Sequence, residues 1–337
     1  MKCHLAAVAL LVCMGPLALA QERIVLRVGD TYPAGHYIAE ALTKPWMEDV
    51  KARAAGRVNF EYYPASQLGS GREMLTLTQS GVVDVGIMIP SILSDRLPLS
   101  LVAELPGDAS TSCQGTQAFW ALTRPGGVLA EKEYGPNGVV VLFAAALVPY
   151  QIFSRRPIET LKSLDGLKLY SPGGAKDLTV RKVGAVPIRM ETADLYQAMT
   201  RGTIDGALIS YGSILAYRLP GLIHAATFGE NLGTGVIAYG ISRNRWAKLP
   251  ADIQSVLAEA GEAATRRACA IFDAGVSGDV AKLQQDGVAL VRLGDADRSA
   301  LAKAMAGVAS EWAAELDHRA KPGSEVLAAF QKALPAP

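Results

Sequence analysis

Gly81-Val82-Val83-Asp84-Val85-Gly86-Ile87 and Gly202-Thr203-Ile204-Asp205-Gly206-Ala207-Leu208 are two copies of one pattern: a glycine, two residues, an aspartate, then an apolar run. Each follows a stretch of helical periodicity, so the glycine reads as a helix stop and the apolar run as a strand. Ahead of the first copy, Tyr62-Tyr63-Pro64-Ala65-Ser66-Gln67-Leu68-Gly69-Ser70-Gly71-Arg72-Glu73 reads as a strand end, a tight loop and a helix start, with Ser70 and Glu73 at capping-box spacing. Ahead of the second, a strand over 186–190 leads to Thr192 as N-cap of a helix over 193–201. Two β-α-β units of one design imply two α/β lobes facing each other, and the cleft between such lobes is the usual place for a small ligand.

The rest of the chain agrees. At ~100 to 200 residues per domain, 337 residues favour two domains. Half the residues are hydrophobic and 19% are charged, which suits packed cores and excludes a disordered chain. Lys2 supplies the positive end of a leader, 5–14 its apolar run, and Ala18-Leu19-Ala20 before Gln21 its cleavage site. Export to the periplasm with cleavage after Ala20 is therefore expected. The apolar run is short for a membrane anchor, and Val12 is bulky where a lipoprotein signal at Cys13 needs a small residue. Without the leader, acidic and basic residues are equal in number, so nothing attracts nucleic acid. Cys113 and Cys269 remain; an oxidising compartment allows them to pair, but sequence cannot place their Cβ atoms. Two separate, partly buried thiols are the expectation.

Strands and helices alternate along the mature chain. Strands are expected at 24–28, 58–63, 138–144, 150–154, 167–171 and 236–241, the last returning to the first lobe. A helix over 37–55 should be interrupted at Pro45 and stopped by Gly56. The longest helical pattern runs from 251 to about 285, with Ile253, Val256, Leu257, Ala260, Ala264, Ala268, Ile271 and Phe272 on one stripe. At ~1.5 Å per residue it outreaches one lobe, and Gly275 and Gly278 lie where it would bend across the boundary. Residues 296–330 read as two more amphipathic helices broken at Pro322-Gly323.

Glu61-Tyr62-Tyr63-Pro64-Ala65-Ser66-Gln67-Leu68-Gly69 with Arg72-Glu73, Gly81 to Asp84, and Glu104-Leu105-Pro106 resemble the extracytoplasmic solute receptors of tripartite ATP-independent periplasmic (TRAP) transporters, the DctP type. Leu164-Asp165-Gly166-Leu167-Lys168, Val183-Gly184-Ala185-Val186-Pro187, Leu195-Tyr196-Gln197-Ala198-Met199, Gly202 to Gly206 and Trp246-Ala247-Lys248-Leu249-Pro250 continue the match in order. The resemblance implies an α/β, two-lobed, periplasmic-binding-protein-like (type II-like) fold with a long helix spanning both lobes. It divides the mature chain into lobe I (21–148 plus 234–272) and lobe II (149–233 plus 273–337). It also implies closure by hinge motion, the small and large membrane permease subunits as partners, a monomer and no cofactor.

The departures from the family bear on the ligand. Most members resembling this chain carry an arginine in the strand after Gly-Leu-Lys that grips the ligand carboxylate; Tyr170 matches it. A second arginine common in carboxylate-binding members matches Tyr150, a customary polar partner matches Ile209, and a glutamate of acid-sugar members falls at Ile89. Asp30, Tyr32, Thr192, Tyr211 and Phe228 complete the candidate ligand-binding set, although Asp30 also suits a turn cap and the aromatics also suit a core. His36 and Arg72 read as structural. An aromatic or largely apolar ligand stacked on tyrosine rings is expected, or an organic cation if Asp30 also faces the cleft. An exported enzyme is the rival, but no activated nucleophile, phosphate loop or metal-ligand spacing is visible, and His36, His224 and His318 are the only histidines outside the leader. A ligand-sensing ectodomain is the other alternative.

Overall fold

The computed structural model describes residues 23–335; the expected leader and its cleavage site lie outside them. Two sheets form. The first contains β1 (Ile24–Gly29), β2 (Val58–Tyr63), β3 (Val85–Met88), β4 (Val139–Ala146) and the late-returning β10 (Val236–Ser242), in the order β2-β1-β3-β10-β4. The second contains β5 (Gln151–Ser154), β6 (Lys168–Ser171), β7 (Val186–Arg189), β8 (Gly206–Ile209), β9 (Ala225–Thr227) and β11 (Ala289–Val291), in the order β11-β9-β5-β8-β6-β7. In the first, β1 lies parallel between β2 and β3, and antiparallel β10 follows; in the second, β6 lies parallel between β7 and β8, and antiparallel β5 follows.

The repeated aspartate explains why the pattern recurs. Asp84 Oδ2 accepts the backbone N–H of Arg27 at 2.9 Å while the Asp84 N–H donates to the Arg27 carbonyl at 3.0 Å. Asp205 does the same with Lys168, at 2.9 and 2.7 Å. One carboxylate thus pins the entry of β3 to β1, and the other the entry of β8 to β6. The preceding glycines have φ of 78° at Gly81 and 71° at Gly202, a left-handed conformation that side chains resist. Gly81 ends α2 (Met74–Ser80), and Gly202 follows α5 (Leu195–Thr200).

Ahead of α1 (Lys44–Arg53) the chain makes a π turn at Ala39–Thr43, so the expected interruption at Pro45 is absent: the wider turn admits a ring that would clash with an α-helical carbonyl. The capping box at Ser70 forms in half. Glu73 Oε2 accepts the Ser70 N–H at 2.9 Å, but the Ser70 hydroxyl donates to the same oxygen at 2.7 Å instead of accepting from the helix.

Four further helices complete the lobes before the longest one: α3 (Ser112–Thr123), α4 (Ala175–Lys182), α6 (Tyr211–Ala216) and α7 (Arg243–Ala247). Helix α8 (Ala251–Gln285) then runs unbroken through Gly275 and Gly278, packing on α1, α3 and β4 of the first lobe and on α6 of the second. Ile271, expected on its buried stripe, is exposed. Three helices follow rather than two: α9 (Asp295–Met305), α10 (Val308–His318) and α11 (Gly323–Ala333), the extra break falling at Ala306-Gly307. The last, α11, packs on α3 and on the 3-10 turn Leu99–Glu104. Residues 273–337 therefore do not all belong with the second sheet, because the amphipathic face of α11 finds its apolar partner in the first.

The two cysteines form a disulfide instead of separate thiols, with S–S 1.99 Å and Cα–Cα 4.7 Å. Packing of α3 beside α8 brings together residues far apart in sequence. Asp273, one turn beyond Cys269, accepts from the backbone N–H groups of Ser112 at 2.7 Å and Cys113 at 3.0 Å, capping α3 beside the bond.

Candidate functional site

The carboxyl ends of parallel strands leave a crevice in open α/β sheets, and here two such crevices face each other. Tyr32 follows β1, Ile89 and Ser91 follow β3, Tyr150 precedes β5, Tyr170 lies in β6, Thr192 follows β7 and Ile209 ends β8. All seven line one cavity of about 190 Å³ between the lobes, together with Ser66, Glu191, Ser213, Tyr217 and the start of β10. Among the described residues, no arginine, lysine or histidine lines it.

The walls are phenolic. Burial holds the Tyr32, Tyr150, Tyr170 and Tyr217 hydroxyls well above the usual phenol range, and their mutual proximity adds to the rise for Tyr32, Tyr150 and Tyr217. They stay protonated and act as donors. Thr192 is not an N-cap: its hydroxyl pairs with the Tyr170 hydroxyl at 2.8 Å, and the helical turn starts without a side-chain cap. Ala65 and Ser66 both adopt left-handed backbone, with φ of 53° and 59°. Their N–H groups donate to the Tyr32 and Asp30 carbonyls at 2.8 and 2.9 Å, so this strained loop is pinned against the one bearing Tyr32.

Asp30 is not part of the cavity wall. Its carboxylate is fully buried and accepts from the Tyr32 N–H (2.9 Å), Tyr62 hydroxyl (3.0 Å), Tyr239 hydroxyl (2.7 Å) and Thr43 hydroxyl (3.3 Å). Burial raises its pKa although all four donors oppose the rise. It ties Tyr32, Tyr62 and Tyr239 together behind the wall. Tyr211 and Phe228 lie elsewhere too, in a separate depression with Val148, Gln151 and Glu230, where Arg292 covers the Phe228 ring at 5.0 Å.

The lobes touch around the cavity. The Tyr37 hydroxyl of the first lobe lies 3.1 Å from Ser210 Oγ and 3.3 Å from Ser213 Oγ of the second. Arg72 reaches Glu191 at 3.3 Å across the mouth, an exposed pair of little energetic weight. His36 stacks on Tyr32, ring centroids 4.5 Å apart, and meets Tyr217 of the other lobe at 5.3 Å. Its Nδ1 accepts the Ile38 N–H at 3.3 Å, which places the proton on Nε2, and burial pulls its pKa down to about 4. Sequence reasoning missed Ser91 and Tyr217; Ser66 stood inside the quoted Pro-Ala-Ser-Gln loop, whereas nothing in the sequence marks Tyr217.

The sequence profile of the bacterial extracellular solute-binding proteins, family 7 (DctP), matches residues 28–315. The chain belongs to this family. Among relatives of this solute-binding protein, the outer membrane transporter protein TsaT of Comamonas testosteroni is 25% identical over 260 residues, 76% of this chain and 75% of its own. A TRAP periplasmic solute-binding protein of Bordetella bronchiseptica with bound (R)- and (S)-mandelate superposes with a TM-score of 0.83 at 24% identity, covering 92% of this chain and 98% of that one. A TRAP solute-binding protein of Rhodoferax ferrireducens in complex with copurified benzoate gives 0.84 at 22%, covering 92% and 97%. These structures are two-lobed receptors, and the likeness establishes the same fold for this solute-binding protein. The family is one of extracellular proteins that bind solutes. No helix among the described residues is long and apolar enough to cross a membrane.

Proposed function

We propose that this solute-binding protein closes on a small ligand with an aromatic body and delivers it to the small and large membrane subunits of a TRAP permease. The observation that carries the ligand class is the cavity wall: four tyrosines with Ile89 and Ile209, and no cationic side chain. A dicarboxylate held there would lose its usual guanidinium fork, and losing one partner of a buried charge pair costs ~2 to 5 kcal/mol. Aromatic rings, by contrast, gain ~0.5 to 1.5 kcal/mol per well-placed pair beyond their burial. A volume of about 190 Å³ lies below the ~300 to 1,000 Å³ of most ligand pockets, which suits one ring with a short substituent. The solved relatives holding mandelate and benzoate support this size and shape. Asp30, sealed beneath Tyr32, supplies no partner for an organic cation, and Glu191, the acidic side chain on the wall, is paired with Arg72. The polar end of the ligand meets the phenols of Tyr32, Tyr150 and Tyr217 and the Ser66 and Ser91 hydroxyls.

Calorimetry on the mature protein with benzoate, mandelate, succinate and a quaternary ammonium compound tests this. One of the aromatic acids should bind at least about 30-fold more tightly than succinate, and Tyr170→Phe should weaken it by freeing Thr192. Tight succinate binding that ignores Tyr170→Phe would sink the proposal.

A further inference from the structure

Behind the cavity, Lys176 of α4 in the second lobe meets Glu104 of the Leu99–Glu104 turn in the first, their charged atoms in direct contact and both side chains all but completely buried. Neither residue lines the cavity, yet its wall rests on both. The Lys176 ammonium sits 5.5 Å from the centroid of the Tyr150 ring, and Glu104 Oε1 accepts the Val236 N–H at 3.4 Å. The approach needs Gly173 and Gly174, whose φ values are 102° and 62°. A Cβ on Gly173 would lie 3.0 Å from the Ser91 carbonyl, and one on Gly174 would lie 2.7 Å from Leu101. The start of α4 is thus fitted backbone-close against the first lobe, with the lysine reaching into it.

We propose that Lys176 and Glu104 form a latch that exists only when the lobes are closed, and that it sets the register of closure on which ligand affinity depends. The inference rests on the receptor closing over its ligand, not on the identity of that ligand. Opening separates α4 from the Leu99–Glu104 turn and returns both charges to water. Closing removes both from water at once, and burial drives each towards its neutral form, raising the pKa of Glu104 and lowering that of Lys176, unless the partner arrives. A closure displaced by a few ångströms would bury two unmatched charges, so it is disfavoured even where the apolar surfaces tolerate it. The pair adds little net attraction over an uncharged seam; it discriminates against wrong closures. Tyr150, seated on the ammonium, is positioned only when the latch is made.

The test is a double-mutant cycle on the mature protein with benzoate as probe. Lys176→Met and Glu104→Gln should each weaken benzoate about 100-fold, since each leaves one buried charge alone, while the double variant should return to within about tenfold of wild type. Circular dichroism should show all variants folded, because the pair lies between lobes. A parallel measurement needs no probe: spin labels at the exposed Gln67 of the first lobe and Gln197 of the second report lobe separation by pulsed dipolar spectroscopy. The closed distance should be populated in wild type and in the double variant and depleted in both single variants. Should benzoate fail to bind wild type, the ligand proposal falls while the distance measurement still judges the latch. Single variants that close and bind like wild type, a double variant no better than the singles, or no closed population in wild type would each overturn it. So would losses confined to benzoate and absent with benzyl alcohol, which would assign Lys176 to direct recognition of the acid.

Discussion

Replacing His36 by phenylalanine should make this protein gain stability relative to wild type as pH falls. His36 is neutral in the fold, with its pKa pulled from 6.5 to about 4 by burial. Between those values the unfolded chain binds a proton that the folded chain refuses, so stability is lost as pH falls from 6.5 towards 4. At ~1.4 kcal/mol per pKa unit the loss is ~3 kcal/mol. Glu133 acts in the opposite sense. Its buried carboxylate accepts from the Leu99 N–H at 2.6 Å and from the Ser100 N–H at 2.8 Å, yet desolvation raises its pKa from 4.5 to about 7. Between 4.5 and 7 the folded chain holds the extra proton, so this group costs stability as pH rises through that window, again by ~3 kcal/mol. In wild type the two slopes overlap and largely cancel. His36→Phe keeps a ring against Tyr32 and removes one slope, so its stability relative to wild type should improve by ~3 kcal/mol between pH 7 and pH 4. Urea unfolding followed by tryptophan fluorescence at half-unit pH steps measures it. A variant-to-wild-type difference that stays constant across that range refutes the assignment of a neutral, buried His36.

Glu133→Gln should show the mirror image, losing ~3 kcal/mol relative to wild type as pH falls from 7 to 4.5, read by the same titration. Removing the disulfide with paired Cys113→Ala and Cys269→Ala opens a loop of 156 residues and should cost up to ~5 kcal/mol on the chain-entropy account. Because α3 and α8 meet within the first lobe, affinity for a bound aromatic acid should not change while the protein is folded; a melting temperature unaltered by the double substitution counts against the bond. Gly261→Ala would place a Cβ 2.0 Å from the Leu142 carbonyl oxygen of β4. Helix α8 must then back away, at ~1 to 3 kcal/mol, and calorimetric melting at the wild-type temperature would show that the contact is not tight.

Much of what local rules govern was legible along the chain, although the expected cap at Thr192, the full box at Ser70 and the interruption at Pro45 were overruled by the packing around them. Gly81 and Gly202 had to end helices, Asp84 and Asp205 recurred because each sheet needs one carboxylate to pin a strand entry, and the 251–285 pattern ran long enough to touch both lobes. The family resemblance pointed to Ile89, Tyr150, Tyr170 and Ile209, which with Tyr32 and Thr192 line one crevice. Which polar groups that crevice receives depends on contacts between segments distant in the chain. Asp30 ends β1 beside the cleft, but Tyr62, Tyr239 and Thr43 arrive from other segments and enclose its carboxylate. Tyr211 follows its strand as the others do, yet its ring turns towards Phe228 and away from the cavity. The Cys113–Cys269 bond and the Lys176–Glu104 contact join residues with no shared local pattern. Backbone preference acts over a few residues and is legible along the chain, whereas burial, pairing and charge depend on neighbours that only folding supplies.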